Sequence, residues 1–117
     1  MITQIDVRDV ALRLGHGKPD LVTRPTGRAV RSSIESALGA LAGGTVVVLD
    51  FTDVRIIDCS CADEIVAKLV EASIGAAVFL LKGLHDDQIA DIEHVLRPRH
   101  LALTAEGSGM LRIHSVT

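Results

Sequence analysis

Two short and almost charge-free runs, residues 45–51 (TVVVLDF) and 76–81 (AAVFLL), constrain most what this chain can fold into. Their β-branched and apolar density marks strands buried on both faces, and such strands need other elements packed over them. The stretches between the runs supply that cover. Val30, Ile34, Ala37, Leu38 and Leu41 fall on one side of a helix that Thr26 can cap and Gly43-Gly44 can end. Ile65, Val66, Leu69 and Val70 form the stripe of a second helix, opening at Ser60, where Ser60 and Asp63 make a capping-box pattern. Ile89, Ile92, Val95 and Leu96 form that of a third, which starts at Asp86 or Asp87 and stops at Arg97-Pro98.

The flanks are less regular. Thr3, Ile5 and Val7 alternate in one phase and Val10, Leu12 and Leu14 in the other, which predicts two short strands joined by a turn or bulge at Arg8-Asp9. Residues 15–25 (GHGKPDLVTRP) are rich in glycine and proline and read as a mobile loop. VRII continues extended beyond the Thr52-Asp53 break, and the tail offers a short strand at 101–104, an EGSG turn and an alternating strand at 111–116. The order ββαββαβαββ predicts an α/β fold, a mixed β-sheet with amphipathic helices packed against it through right-handed crossovers. With 117 residues, no internal repeat and no linker, residues 1–117 are expected to form a single domain. The 111–116 strand either completes this sheet or pairs with another chain, so a homodimer is one expectation.

Composition narrows the function. Twelve Lys plus Arg against fifteen Asp plus Glu leave a net charge of −3, and Phe51 and Phe79 are the whole aromatic content. Neither a phosphate-attracting surplus nor a base-stacking platform is present, so no nucleic-acid partner is expected. The apolar runs are too short to cross a bilayer and MITQIDVRD does not read as a signal peptide, which points to the cytoplasm and away from membranes. The two cysteines, in a C-x-C spacing, are neither a disulfide framework nor a four-ligand zinc pattern, and no metal or cofactor is implied. GHGK lacks the spacing of a phosphate loop.

Read together, the strand VVVLDFTDVRIID and the helix start CSCADEIVAKLV resemble the core of the STAS domain family, the fold of anti-sigma-factor antagonists. A bacterial STAS-like family of unknown function is more similar still. Arg24, Gly27 and Arg28 match its helix start, and Asp50, Phe51, Ser60, Ala62, Asp63 and Glu64 match its central segment. The resemblance covers roughly residues 20 to 105 and implies a STAS-like domain that acts by protein–protein contact in regulation. In the antagonists, the second serine of an Asp-Ser-Ser-Gly segment is phosphorylated by a partner kinase that is also an anti-sigma factor. Ser60 stands at the equivalent step after Asp58, with Cys59 in place of the first serine and Cys61 in place of the glycine. A kinase or anti-sigma-like regulator is therefore the implied partner.

The residues themselves leave alternatives. Ser60 serves either as a helix cap or as a phosphorylation site, where helix amides would favour a phosphate and Asp58 and Asp63 would oppose it. Cys59 and Cys61 read as small hydrophobes, or as redox or nucleophilic thiols if His85, His94, His100 or His114 folds close by. Asp50, Asp53, Asp58, Asp63 and Glu64 fit strand-end turns and a helix first turn better than an acid–base pair. Arg24, Arg28 and Arg31 surround a predicted helix start and could clamp a small anion. The leading expectation is a non-enzymatic interaction module with no catalytic residue, whose switch surface is Asp58, Cys59, Ser60, Cys61, Asp63 and Glu64. The alternatives are an anion- or nucleotide-binding sensor using Arg24 and Arg28, and a cysteine-based enzyme or redox sensor.

Overall fold

In the computed structural model, which describes residues 1–116, the two apolar runs lie side by side. β3 (Thr45–Asp50) pairs in parallel with β5 (Ala77–Lys82), setting Val47 beside Phe79 and Leu49 beside Leu81. β1 (Ile2–Asp6) joins β3 in parallel, and a hairpin of β6 (Leu101–Gly107) and β7 (Met110–Ser115) joins β5 through antiparallel β7. The result is a mixed five-stranded sheet in the order β1-β3-β5-β7-β6, with a separate two-stranded ribbon of β2 (Asp20–Leu21) and β4 (Ile56–Ile57). The alternating segment at 111–116 thus completes this sheet from within, between β5 and β6.

Because β1, β3 and β5 advance in one direction, right-handed crossovers put their connections on one side of the sheet. That side carries α1 (Val7–Arg13), α2 (Arg24–Leu38), a broken helix, and α5 (Asp86–Leu96), which ends in a 3₁₀ turn (Arg97–Arg99). The broken helix consists of α3 (Cys59–Ala62), a π-helical stretch (Asp63–Lys68) and α4 (Leu69–Ser73). The core fills the space between the layers, with Val47, Leu49, Phe79, Leu81 and Ile113 of the sheet meeting Val30, Ile34, Ile65, Leu69, Ile92 and Leu96 of the helices. The α/β class predicted from the sequence is the one observed. No helix among the described residues is long and apolar enough to cross a membrane.

Four local expectations need correction. The segment predicted as a second strand at 10–14 is helix α1: the Asp6 side chain accepts a hydrogen bond from the Asp9 amide at 3.0 Å, and helical spacing buries Val7 and Ala11 while Leu12 and Leu14 remain exposed. An aspartate three residues ahead of an amide it can reach outcompetes a short alternation. The next helix begins at Arg24 rather than beyond Thr26, since Pro25 suits a first turn, and it ends at Gly39 in a left-handed φ of 59° rather than at Gly43-Gly44. The stretch at 15–25 is tied down rather than free. The Arg8 guanidinium donates to the carbonyls of His16 and Gly17 at 3.0 and 2.8 Å, and Arg55 grips Asp20 through two bonds at 2.9 and 2.6 Å. Finally, Asp58, not Ser60, caps α3.

Candidate functional site

The β2–β4 ribbon builds the start of the site by holding the end of β2 against the end of β4. The Asp58 amide donates to the Leu21 carbonyl at 3.0 Å, which places the Asp58 carboxylate between two chain segments. One oxygen accepts from the Cys61 amide at 2.8 Å, capping α3, and the other accepts from the Thr23 amide at 2.8 Å, just ahead of α2. Burial alone would raise the Asp58 pKa, but these two amide bonds outweigh it and hold the carboxyl below its ordinary value. Thr23 is held in turn at φ 74° and ψ 143°, a conformation that costs a non-glycine residue on the order of 1–3 kcal/mol. Its carbonyl accepts a bond from the Cys61 thiol at 3.1 Å.

The helix that follows lies between α2 on one side and α5 on the other, so it is buried on more than one face. That is why Glu64, in the π-helical stretch, is fully buried. Its carboxylate accepts from Arg24 Nη1 at 2.5 Å, from Arg31 Nε and Nη2 at 3.2 Å each, and from Lys68 Nζ at 2.6 Å. Burial pushes the Glu64 carboxyl up, but the bonds from Lys68, Arg24 and Arg31 overcome it and bring the pKa down to about 2. Arg24 Nη1 also reaches Asp63 at 2.9 Å. On the other side of Asp63, Arg99 donates through Nη2 at 3.0 Å and reaches Glu71 at 2.7 Å. With Arg31 also holding Glu35 at 3.0 Å, four carboxylates (Glu35, Asp63, Glu64, Glu71) are balanced by four cations (Arg24, Arg31, Lys68, Arg99).

This network changes the roles assigned from sequence. Cys61 and Glu64 belong to the interior, so neither can be part of a contact surface, and Asp63 is partly covered by its arginines. Asp58 and Ser60 are half-buried and Cys59 is exposed, which leaves these three as the accessible part of the expected switch surface. Arg24 and Arg31 are spent on carboxylates of their own chain. Arg28 is exposed and makes no hydrogen bond or ion pair among the described residues, so the structure does not bring Arg24 and Arg28 together as a clamp. Ser60 is relieved of capping by Asp58, and its hydroxyl has no hydrogen-bond partner among the described residues.

Neither thiol is activated. Cys59 is raised above the ordinary thiol pKa by partial burial and by Asp91 and Asp58, with its Sγ 3.9 Å from the Asp91 carboxylate. Cys61 is pushed up to about 12 by burial and by Asp58. No histidine hydrogen-bonds either sulfur, and no cluster of three or more metal-ligating side chains is formed among the described residues. Lys68, Arg99, Glu71 and Thr23 were not singled out by the sequence. Only Lys68 carried a readable signal, as the i+4 partner of Glu64.

Compared with protein-family models, with curated proteins and with solved structures, the chain matches none.

Proposed function

We propose that this chain is a non-enzymatic, STAS-like regulatory module. It binds another protein through the accessible part of the start of α3, exposed Cys59 with half-buried Asp58 and Ser60, and phosphorylation of Ser60 switches that contact. The observation that carries the reading is the division of labour at this helix start. Asp58 makes the cap bond and leaves the Ser60 hydroxyl unengaged beside exposed Cys59. Because Asp58 makes the cap bond, a phosphate on Ser60 leaves that bond in place. A phosphate here adds close to two negative charges next to Asp58 and within the same turns as Asp63, changing the charge of the surface sharply. The groups that could have served chemistry support a non-catalytic role, since both thiols are held protonated and Glu64 is held ionised and enclosed.

The test is affinity capture from bacterial lysate with wild type, Ser60→Ala and Ser60→Asp, combined with intact mass measurement of the recovered bait. The expected result is a partner that distinguishes Ser60→Asp from Ser60→Ala, and a phosphate-sized mass increase that Ser60→Ala abolishes. Identical partners for all three forms together with an unmodified serine would sink the proposal.

A further inference from the structure

α2 and the broken helix start side by side. The Asp58 carboxylate accepts from the Thr23 amide at 2.8 Å, and one turn further on Gly27 packs against Cys61 and Glu64. Arg24 lies between those two contacts and so leaves α2 at the level of Ser60. Its Nη1 donates to Asp63 at 2.9 Å and to Glu64 at 2.5 Å. Residues three and four apart on a helix share a face, and their side chains lean toward the preceding turn, so both of these carboxylates hold the guanidinium over the turn that carries Ser60. Its positive charge is felt at Asp58 and Cys61, on either side of the serine, although burial is the larger influence on both.

Arg24 is also the cation that the network can release. Asp63 keeps Arg99 at 3.0 Å, and Glu64 keeps Arg31 and Lys68 at 3.2 and 2.6 Å, so neither carboxylate is left bare. The Arg24 side chain is 40% exposed, against 21% for Arg31 and 23% for Arg99, which gives it the most room of the three arginines to turn outward.

We propose that Arg24 is the receptor, within this chain, for a phosphate on Ser60: the phosphorylated serine draws the guanidinium off Asp63 into a bidentate pair. This rests on the serine switch described above. Transfer of a phosphoryl group from a nucleoside triphosphate to the Ser60 oxygen releases the hydroxyl proton and the nucleoside diphosphate. It leaves three acceptor oxygens and a charge of about −2, which outcompete a single carboxylate for the paired N–H donors of an arginine. The charged groups around the site are Asp58, Asp63 and Glu64 on its own helix, Asp91 on α5, Arg24 on α2 and Arg99 after α5. Carboxylates outnumber cations there, so a phosphate without Arg24 sits in a repelling field. Phosphorylation thus adds charge and swings Arg24 outward in one event, and a partner reads both changes.

The test uses the full chain with Ser60 incorporated during synthesis as phosphoserine, so that no kinase is needed. Phosphorus NMR then gives the second pKa of the phosphate, which is about 6 in the absence of a partner. The expected result is a value lower by about half a unit or more, restored by Arg24→Gln and left nearly unchanged by Arg28→Gln. Arg28 is exposed on the same helix, and its replacement removes the same charge. Circular dichroism checks that the variants fold. If Arg24→Gln does not, the Arg24 Nε–H resonance of the isotope-labelled chain, identified by its loss in Arg24→Lys, should move on phosphorylation. A phosphate that titrates at or above about 6 with Arg24 in place, equal responses to Arg24→Gln and Arg28→Gln, or an Arg24 resonance that ignores the phosphate overturns the proposal. The clamp and the switch fail separately: a lowered phosphate pKa with no selective partner in the lysate capture sinks the switch alone, and a selective partner with an unperturbed phosphate sinks the clamp alone.

Discussion

Asp58 and Ser60 sit two residues apart, and both are residue types that cap helices, yet only one of them does so here. A sequence pattern of Ser-x-x-Asp favours Ser60 as the cap, but the β2–β4 ribbon brings the Thr23 amide within reach of Asp58, and one carboxylate can then serve two orphan amides. The ribbon is formed by residues more than thirty positions apart, so this preference could not be read locally. Asp58→Ala should therefore cost about 2 kcal/mol, the upper end for a lost cap, because Thr23 also loses the bond that holds its positive φ. Ser60→Ala should cost less than about 0.5 kcal/mol, as surface substitutions away from such features do. Urea denaturation of the two variants decides the matter; equal losses, or a larger loss for Ser60→Ala, would return the capping role to the serine.

At the scale of elements, the approach of α2 to α3 sets the site, and Gly27 sets that approach. A Cβ built at Gly27 would lie 2.9 Å from the Cys61 Cα and 3.1 Å from the Glu64 Cβ, so the first of these clashes is with backbone that cannot rotate away. Gly27→Ala should destabilise by about 1–3 kcal/mol despite the roughly 1 kcal/mol by which alanine is the better helix former, because the helices must separate and take Arg24 away from Glu64. Gly43, with open space around it and an ordinary φ, is the control, and Gly43→Ala should be neutral or slightly stabilising. Thermal unfolding of the pair checks this, and a harmless Gly27→Ala would mean that the helix contact is looser than drawn. The buried strands and three amphipathic stripes were legible because their periodicity is local: Val30 and Ile34, Ile65 and Leu69, and Ile92 and Leu96 all point to the core as predicted. Helix α1 was not, since Val10, Leu12 and Leu14 alternate by chance while the cap at Asp6 decides. The burial of Glu64 was also hidden. It follows from a helix flanked by two others, and the position of Arg99 opposite Asp63 depends on how the chain returns after α5.

For the molecule as a whole, the ion network joins α2, the broken helix and the turn after α5, so its protonation should govern how the helical layer responds to acid. Glu64 has a folded-state pKa of about 2 against an ordinary value of 4.5, a depression caused by Lys68, Arg24 and Arg31 in spite of burial. A depressed carboxylate contributes stability that is complete above its unfolded pKa and is lost as pH falls through the folded one. The window therefore runs from about pH 5 down to about pH 2, and the amount is on the order of 3 kcal/mol. Asp50 and Asp58, also lowered, add to the acid sensitivity of the wild type, but they do so equally in a variant that keeps them. The informative quantity is thus the difference between wild type and Glu64→Gln. At pH 7 the variant leaves three cations facing a neutral amide at a fully buried position and should be less stable by about 3 kcal/mol. As pH falls, the wild-type carboxyl becomes neutral too, so the gap should shrink toward zero near pH 2. Denaturant unfolding of both proteins at a series of pH values measures this gap directly. If the two stability curves run parallel from pH 7 to pH 2, Glu64 is not the group that ties the helices together. Arg24 and Arg31 would then be held by Asp63 and Glu35.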